Sequence, residues 1–368
     1  METQDITNNI WQYSNVTKVH IELSSRCNAA CPGCQRFVHN SPNINPRLVQ
    51  TNVTFEQFQQ WFPLDFVSQV TSWLFCGSYG DPLAANDIYE ILEYICNNST
   101  AEVRINTNAG LRTPELFTKI GKLFAKGKQY NRAIAFSIDG LKDTNHIYRR
   151  NVVWDKVWEN LMAYVASGGR AYWDFLQFKH NVHQIPLIEA IAKKYGIYVF
   201  VKNPFGVDKK AMPAYNKNYE LEYIIEHHSD NGYPAFYPAK PDFVAPMPGK
   251  IDAEGHIKCL SIRENSNNLE KIDTEIYVDS LGRVLPCCFI PGGLLPTHFD
   301  WGMQLQEIQD KIGNANNLHH NSLKQILDNG ILEVYSKSWE NKDIAACWIY
   351  CGRNTEKHRI IDKLWQKK

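Results

Sequence analysis

The chain has 368 residues, 44% of them hydrophobic, which is enough for a barrel-sized domain and a smaller second domain. Its 39 basic and 39 acidic residues are spread along the chain, so no charge pattern points to nucleic acid or to an anionic membrane. The polar N-terminus lacks a signal-like apolar core and no apolar run could span a bilayer, so we expect a cytoplasmic protein. In that compartment ten cysteines indicate metal binding rather than a disulfide framework.

Short runs of β-branched or aromatic residues predict six strands. They cover residues 18–23, 72–77, 103–108, 132–139, 172–178 and 197–202. Segments with a hydrophobic period near 3.6 predict five helices between these strands. They cover residues 54–62, 86–98, 113–127, 153–169 and 185–196. This alternation predicts an α/β fold with a parallel sheet, and six units without a clear seventh or eighth favour a partial (β/α)6 TIM-like barrel.

The alternation of strands and helices ends after the sixth strand. Residues 203–250 are rich in Pro, Lys, Tyr and Asn, which predicts loops and a domain boundary. Beyond it, 275–289 predicts a hairpin with its turn at 279–282, and 322–339 predicts an amphipathic helix. We therefore expect four regions: an N-terminal extension (1–17), the partial barrel (18–206), a linker or substrate loop (207–250) and a small α+β domain (251–368).

Three cysteines, Cys27, Cys31 and Cys34, lie in one loop shortly after the first predicted strand. In parallel α/β sheets the working face lies beyond the carboxyl ends of the strands. Thiolates at i, i+4 and i+7 can all face one metal centre. An iron–sulfur cubane takes four ligands, so three protein ligands leave one iron open for a substrate or cofactor.

Two other interpretations of this loop compete with a metal cluster. A structural zinc loop needs a fourth ligand, and the next candidate in sequence, His39, falls in a polar loop. Buried free cysteines are common, but the segment CNAACPGC is too polar and too rich in Gly and Pro for a core strand. The position of the three cysteines after the first strand of a β/α series favours the cluster.

Four motifs follow one another at the ends of the first four strands. They are CNAACPGC (27–34), CGSYGDPL (76–83), INTNAG (105–110) and FSIDGLKDTNHIYRR (136–150). The first matches the CxxxCxxC signature of the radical S-adenosylmethionine (radical SAM) superfamily. The others resemble its GGEP-type segment, its TNG segment and its strand-four motif. The chain resembles this superfamily over nearly its whole length.

The resemblance implies a [4Fe–4S] cluster on the three cysteines, with S-adenosylmethionine (SAM) bound to the open iron. Backbone groups around Ser78, Gly80 and Asp81 would receive the methionine ammonium, with glycine where no side chain fits. Asp81 also stands before a proline and suits a plain turn. It replaces the usual glutamate of the GGEP-type segment.

The third and fourth motifs supply the other implied SAM contacts. Ser137 and Arg149 would bind the methionine carboxylate, the arginine through charge-assisted hydrogen bonds. Asn108 and Asp139 would bind the ribose or shape the strand ends, and a turn is the alternative for Asn108. Gly33 stands where the family often has an aromatic residue against the adenine, so the adenine contacts stay unassigned.

Four polar residues near the ends of the last two predicted strands are candidates for SAM or substrate contacts. They are Gln177, Lys179, Lys202 and Asn203. An ordinary surface role is the alternative for the two lysines. No titratable pair stands out in spacing, so no catalytic acid or base is assigned.

A second set of cysteines lies in the C-terminal region and resembles the SPASM/twitch extensions that carry auxiliary iron–sulfur clusters. A full SPASM domain has seven cysteines, whereas this region has five. The resemblance implies one auxiliary [4Fe–4S] cluster on Cys259, Cys287, Cys347 and Cys351, with Cys288 as a spare or alternate ligand. A structural zinc site is the alternative.

The resemblance implies that an electron cleaves SAM to a 5′-deoxyadenosyl radical, which abstracts hydrogen from a substrate. A reductant protein such as flavodoxin or ferredoxin would supply the electron. We favour a peptide or protein side chain as substrate, because the long loop after the barrel suits an extended ligand. The alternatives are a small molecule such as a sugar, nucleotide or aminoglycoside, and a non-catalytic metal scaffold. The first strand begins near residue 18, so we expect no N-terminal leader-binding domain.

Overall fold

The computed structural model describes residues 9–204, 211–228, 261–264, 272–294 and 302–341, together with Cys259, Ile344, Cys347 and Cys351. The chain forms two compact units. The barrel unit comprises Thr17–Tyr237 and Tyr277–Arg283, and the second unit comprises Met1–Val16, Pro238–Ile276 and Val284–Lys368. The four domain ranges expected from the sequence stay a prediction. Within the described ranges, no helix is long and apolar enough to cross a membrane.

The six predicted strands of the barrel unit are all present, and neighbours in sequence pair in parallel. They are β1 (Val16–Ile21), β2 (Ser72–Phe75), β3 (Glu102–Thr107), β4 (Arg132–Ser137), β5 (Arg170–Leu176) and β6 (Tyr198–Lys202). Parallel neighbours need crossover connections, and helices supply them. The predicted α/β fold with a partial (β/α)6 barrel is confirmed.

All five predicted helices are present, and two short ones, α2 and α5, are additional. The helices are α1 (Phe55–Trp61), α2 (Leu64–Gln69), α3 (Ile88–Asn98), α4 (Pro114–Lys126), α5 (Asn145–Tyr148), α6 (Trp154–Ala166) and α7 (Ile185–Tyr195). A capping box of Thr54 and Gln57 starts α1. Gly196, with φ of 67°, ends α7 in the left-handed conformation.

The two faces of the barrel sheet differ in chemistry. Phe136 of β4 stacks on Phe117 of α4 and lies against Tyr164 of α6, so this face of the strand packs on the helices. Side chains alternate along a strand, so Ala135 and Ser137 point to the inner face of the barrel. Small residues on β4 leave room there for larger side chains from neighbouring strands.

Charged residues occupy this inner face. Asp174 of β5, which is paired in register with Ser137, lies between Arg104 of β3 and Lys202 of β6. Its carboxylate is 3.7 Å from Arg104 Nη2 and 2.6 Å from Lys202 Nζ. The interior of the barrel is therefore polar near the carboxyl ends of its strands.

The segment expected as a linker or substrate loop contains an antiparallel hairpin, which corrects the prediction of loops there. Its strands are β7 (Ala211–Tyr215) and β8 (Leu221–Glu226). Met212 and Ile225 pack with Phe178 in a buried apolar cluster. The Pro- and Asn-rich composition concealed these inward-facing residues. Residues 205–210 and 229–250 of the expected loop lie outside the described residues.

The second unit has an antiparallel strand pair and four helices among its described residues. The elements are β9 (Ile262–Glu264), β10 (Ile272–Val278), β11 (Val284–Leu285), α8 (Ile290–Leu294), α9 (Gly302–Ile312), α10 (Leu323–Asp328) and α11 (Glu333–Asn341). The turn predicted at 279–282 is present and belongs to the barrel unit: Gly282 has φ of 78° and donates its N–H to the Asp279 carbonyl at 2.9 Å. The single helix predicted over 322–339 is wrong, because Gly330, with φ of 66°, separates α10 from α11.

Residues 9–15, expected as part of an N-terminal extension, contribute to the core of the second unit. The Trp11 side chain is fully buried, its ring lies edge-on to Trp339, and its Nε1 donates to the Glu275 carbonyl at 3.2 Å. The Ile10 N–H donates to the Glu333 carboxylate at 2.6 Å. Residues 1–8 lie outside the described residues.

Candidate active site

Hydrogen-bond donors lie close to the sulfur atoms of two of the three cysteines in the loop that follows β1, Cys27 and Cys31. The Ala29 N–H and the Asn108 side-chain amide each lie 3.4 Å from Cys27 Sγ. Arg149 Nη1 lies 3.7 Å from Cys31 Sγ. Donors and a positive charge beside sulfur favour thiolate, the form of cysteine that binds metal.

Cys31 is buried, Cys27 and Cys34 are half-buried, and the three thiols are close enough to affect one another's ionisation. Burial, with a smaller contribution from the nearby Cys31 thiol, raises the pKa of Cys34 to about 11. Burial also raises the pKa values of Cys27 and Cys31. A group of buried thiols with raised pKa values needs a metal to hold it as thiolates at neutral pH. The donor set therefore fits an iron–sulfur cluster with three protein ligands.

A buried arginine that sequence reasoning missed holds the base of this loop. Arg36 is 2% exposed, donates to the Ser25 carbonyl, and donates from Nη2 to Gln50 Oε1 at 2.8 Å. Burying a guanidinium is costly unless its donors are satisfied. These bonds connect the segment after the third cysteine to the residues before the first, which fixes the loop at both ends.

The glycine-rich segment after β2 wraps around a second missed residue, Glu22. The N–H groups of Tyr79 and Gly80 donate to Glu22 Oε1 at 2.7 and 2.8 Å. A Cβ at Gly80 would lie 1.9 Å from the Ser24 carbonyl oxygen, so only glycine fits there. The glutamate at the end of the apolar run VHIEL was the signal in the sequence that could have revealed it.

Glu22 belongs to a small buried network. The Tyr277 hydroxyl lies 2.9 Å from Glu22 Oε2 and 3.2 Å from Ser78 Oγ, which places predicted site residue Ser78 at the edge of this network. Burial raises the pKa of Glu22 to about 7, although the bonds from Tyr79, Tyr277 and Gly80 oppose the shift. Glu22 thus orders the backbone on which the implied ammonium contact depends.

Asp81 connects the ends of β2 and β3. Its buried carboxylate accepts hydrogen bonds at 2.9 Å from Thr107 Oγ1 and from both the backbone and side-chain nitrogens of Asn108. It also accepts the Leu83 N–H at 3.0 Å, as expected for a turn former. Since Asn108 contacts Cys27, Asp81 positions the cysteine loop through this amide.

The strand-four residues form an ion pair directed at the cysteine loop. Arg149 Nε lies 2.5 Å from Asp139 Oδ2, and the Leu176 N–H donates to Asp139 Oδ1 at 2.6 Å. Burial opposes the charge on Arg149, but the Asp139 carboxylate raises its pKa above the usual value. Asp139 thus holds the guanidinium beside Cys31, while Ser137 ends β4 on the inner face.

Gly33 adopts φ of 79°, a conformation that favours glycine. A Cβ at this position would lie 2.8 Å from Met212 Sδ of the β7–β8 hairpin. Met212 is 4% exposed and packs near Tyr148, which precedes Arg149. The space into which a side chain at residue 33 would project is thus taken by a methionine from β7.

The four polar candidates near the ends of β5 and β6 pair with protein groups. Gln177 donates to the Asn203 side chain at 2.7 Å. Lys179 pairs with Glu226 at 2.5 Å, with both side chains more than half exposed. Lys202 pairs with Asp174 on the inner face. Lys179 therefore matches the surface alternative, whereas Lys202 faces the interior of the barrel.

A comparison with protein families decides the identity of this site. The profile of the radical SAM superfamily matches residues 21–180, which hold the three cysteines, the glycine-rich segment and the Asp139–Arg149 pair. Residues 21–180 form a radical SAM domain. No curated protein sequence matches this radical SAM enzyme.

Solved structures extend the likeness of the fold to the rest of this radical SAM enzyme. Streptococcus suis SuiB bound to S-adenosylmethionine has 15% sequence identity and a TM-score of 0.52, covering 96% of this chain and 75% of that one. SuiB bound to its precursor peptide SuiA has 14% identity and a TM-score of 0.53, covering 96% and 74%. At such identities the likeness concerns the fold alone. The anSMEcpe enzyme bound to AdoMet and the Cp18Cys peptide has 13% identity and a TM-score of 0.45 over 91% and 87% of the chains.

The cysteines of the second unit come together from three distant segments. The pKa of Cys259 is raised, and the largest contribution is a hydrogen bond with the Cys351 thiol. Burial contributes next, and the nearby Cys287 adds to the shift. Burial raises the pKa of Cys287, with contributions from Cys288, Cys347 and Cys351. The four predicted ligands of the auxiliary cluster and Cys288 are therefore neighbours.

Among the described residues, no three His, Cys, Asp or Glu side chains are placed to hold a single metal ion.

Proposed function

We propose that this radical SAM enzyme cleaves SAM reductively at a [4Fe–4S] cluster bound by Cys27, Cys31 and Cys34, and modifies a peptide or protein side chain. The observation that carries the proposal is the Asp139–Arg149 ion pair, whose guanidinium lies 3.7 Å from the Cys31 sulfur. When bound and reduced, the cluster and SAM supply a 5′-deoxyadenosyl radical that can abstract hydrogen from an unactivated C–H bond.

Arg149 would hold the methionine carboxylate of SAM. Its charge is maintained by Asp139, so a planar donor is already aimed at the cluster when SAM arrives. Ser137, the last residue of β4, would add a hydroxyl donor. Pre-ordering of these groups lowers the entropy cost of binding.

The glycine-rich segment would hold the methionine ammonium. An ammonium needs acceptors, and the N–H groups of Tyr79 and Gly80 already donate to Glu22. Carbonyl oxygens around Ser78, Gly80 and Asp81 are thus the groups to receive it. The Asn108 side chain is bound to Asp81, and the Asp139 side chain is bound to Arg149. These contacts support a role for both residues in shaping the strand ends rather than in binding the ribose.

The substrate class rests on two observations that point in different directions. SuiB, whose fold resembles this chain, has a structure with a bound precursor peptide, and this supports a peptide substrate. The charged inner face, with Asp174 between Arg104 and Lys202, favours a small polar molecule as the second candidate. The electron donor in either case would be a flavodoxin- or ferredoxin-type protein.

An auxiliary [4Fe–4S] cluster on Cys259, Cys287, Cys347 and Cys351 belongs to the same proposal. The mutual contacts of these thiols support it, and Cys288 stays an alternate ligand. A cytoplasmic location is part of the proposal, since ten free thiols require a reducing compartment.

The decisive experiment combines anaerobic reconstitution, iron counting and a 5′-deoxyadenosine assay with SAM and dithionite. We expect about eight irons in the wild type and about four in the Cys27/Cys31/Cys34 triple alanine variant, with 5′-deoxyadenosine formed only by the wild type. Cys96→Ala, which changes a cysteine on α3, is the matched control and should resemble the wild type. Zinc in place of iron, or no 5′-deoxyadenosine from a fully loaded protein, would favour the non-catalytic scaffold.

Deuterated substrates would then separate the peptide from the small molecule. For a peptide substrate, a deuterium label on the modified side chain should appear in 5′-deoxyadenosine. Turnover supported by a small sugar or nucleotide, without label transfer from any peptide, would overturn the peptide assignment.

A further inference from the structure

One surface pocket of the barrel unit reaches the cysteine loop from outside. It has a volume of about 740 Å³ and is lined by the start of α3, the first half of α4 and the residues that follow β1. Cys27 and Asn28 form part of this lining. The pocket therefore connects solvent with one of the proposed cluster ligands.

The lining of this pocket is basic, although the chain as a whole has no net charge. It includes Arg26, Arg112, Lys119 and Lys156, against Glu90 as its single acidic residue. Arg26 and Lys119 are exposed at its rim. A local excess of one charge on a neutral protein attracts a partner of the opposite charge and raises the rate of encounter.

Part of this charge is fixed in place. Arg112 donates from Nε to the Leu83 carbonyl at 2.7 Å and from Nη2 to the Ala85 carbonyl at 2.6 Å. Lys119 lies over the Tyr89 ring, with Nζ 5.8 Å from its centroid. A cation held by backbone carbonyls keeps its position without a partner, as a preformed docking surface requires.

The other two cysteines of the loop are less suited to receive an electron from outside. Cys31 is buried and faces Arg149, the residue proposed to hold SAM. Neither Cys31 nor Cys34 lines the pocket. Because electron transfer slows steeply with distance, a donor docked at the pocket has its shortest route through Cys27.

We propose that the pocket lined by Arg26, Lys119 and Lys156 is the docking surface for an acidic one-electron carrier protein, which reduces the cluster through Cys27. The inference rests on the proposed function, since it needs a cluster on Cys27. In each encounter the reduced flavin or iron–sulfur centre of the carrier loses one electron and the oxidised cluster gains it. The small basic rim suits a transient redox complex, the smallest class of protein interface.

The test compares the reconstituted wild type with the double variants Lys119→Glu/Lys156→Glu and Lys122→Glu/Lys193→Glu. The second pair is the control, because Lys122 and Lys193 are exposed on α4 and α7 but do not line the pocket. Two readouts are used: the Kd for an oxidised acidic flavodoxin, by titration calorimetry, and the rate of cluster reduction by the reduced flavodoxin, by stopped flow.

We expect the pocket variant to bind flavodoxin at least about tenfold more weakly and to be reduced correspondingly more slowly, with the control near the wild type. The difference should shrink in 0.3 M salt because of screening. Equal weakening in both variants, or an unchanged Kd in the pocket variant, would overturn the proposal. Circular dichroism melts exclude unfolding as the cause.

Dithionite separates this proposal from the proposed function. As a small reductant it needs no docking surface, so 5′-deoxyadenosine formation with dithionite should be the same in all three proteins. If dithionite yields no 5′-deoxyadenosine even in the wild type, the proposed function fails, whereas the Kd comparison still judges the docking surface.

Discussion

The two groups of cysteines in this enzyme are built in different ways. Cys27, Cys31 and Cys34 lie in one loop, and Asn108, Arg149 and Arg36 hold that loop without any metal. Cys259, Cys287, Cys347 and Cys351 come from three segments far apart in sequence, and the shifts in their pKa values trace chiefly to burial and to one another. The first group is ordered by side chains from neighbouring elements, whereas the second brings together segments that are far apart in sequence.

Whether a group is local in sequence also determined how well it could be predicted from the sequence. The first group follows a strand in a regular β/α series, so spacing and strand position were enough to indicate its chemistry. Glu22 and Arg36 were missed because their roles depend on partners distant in sequence, such as Tyr277 for Glu22. The β7–β8 hairpin was missed because it lies in a segment rich in Pro, Lys, Tyr and Asn, which favours loops.

The helix split at Gly330 shows a further limit of periodicity. The hydrophobic pattern continues across Gly330, but its left-handed backbone redirects the chain between α10 and α11. For the second cysteine group, the resemblance to auxiliary-cluster domains supplied the grouping that spacing could not supply. The structure brings these cysteines together, while their metal stays a prediction.

The largest expected effect comes from removing two cysteines of the second group, and removing two cysteines of the first group is the comparison. In the iron-loaded protein, Cys347→Ser/Cys351→Ser should destabilise the second unit by an amount on the order of 10 kcal/mol, because metal binding there is coupled to folding. Cys31→Ser/Cys34→Ser should leave the barrel folded, since its loop is held by protein contacts. Hydrogen exchange over residues 302–341 and 102–137 measures the two units separately.

The matched comparison is the wild type treated with an iron chelator, which should show the same loss of protection over 302–341 as Cys347→Ser/Cys351→Ser. Equal protection of that range in all forms would mean that the second group does not depend on a metal. Loss of protection over 102–137 in Cys31→Ser/Cys34→Ser would show that the first group is not preordered.

The next effect concerns the ion pair that orders the first group. Asp139→Asn should destabilise the barrel unit by about 3 kcal/mol, because it leaves the largely buried Arg149 guanidinium without its anion. It should also weaken SAM binding, since the guanidinium loses its orientation. Urea unfolding and a SAM titration of the reconstituted protein measure the two effects.

Glu226→Gln is the control for this variant, because it breaks the exposed pair with Lys179 and should cost less than about 1 kcal/mol. A stability loss in Asp139→Asn with unchanged SAM affinity would assign the pair to folding alone. Similar losses in both variants would show that burial does not distinguish the two pairs.

The last effect is a pH dependence of stability, and it arises at Glu22, which orders the glycine-rich segment. The pKa of Glu22 is raised from its ordinary value of 4.5 to about 7 in the folded protein, so the folded state binds this proton more tightly than the unfolded chain does. This contribution to stability is complete below pH 4.5 and is lost as the pH rises to about 7, amounting to roughly 3 kcal/mol.

Glu22→Gln keeps the amide acceptor for Tyr79 and Gly80 but cannot ionise. It should therefore remove the slope of unfolding free energy against pH that urea unfolding measures between pH 5 and 7.5. Glu56→Gln, at an exposed position on α1, should keep the slope of the wild type. If the slope persists in Glu22→Gln, another group titrates and Glu22 does not set the pH response of the glycine-rich segment.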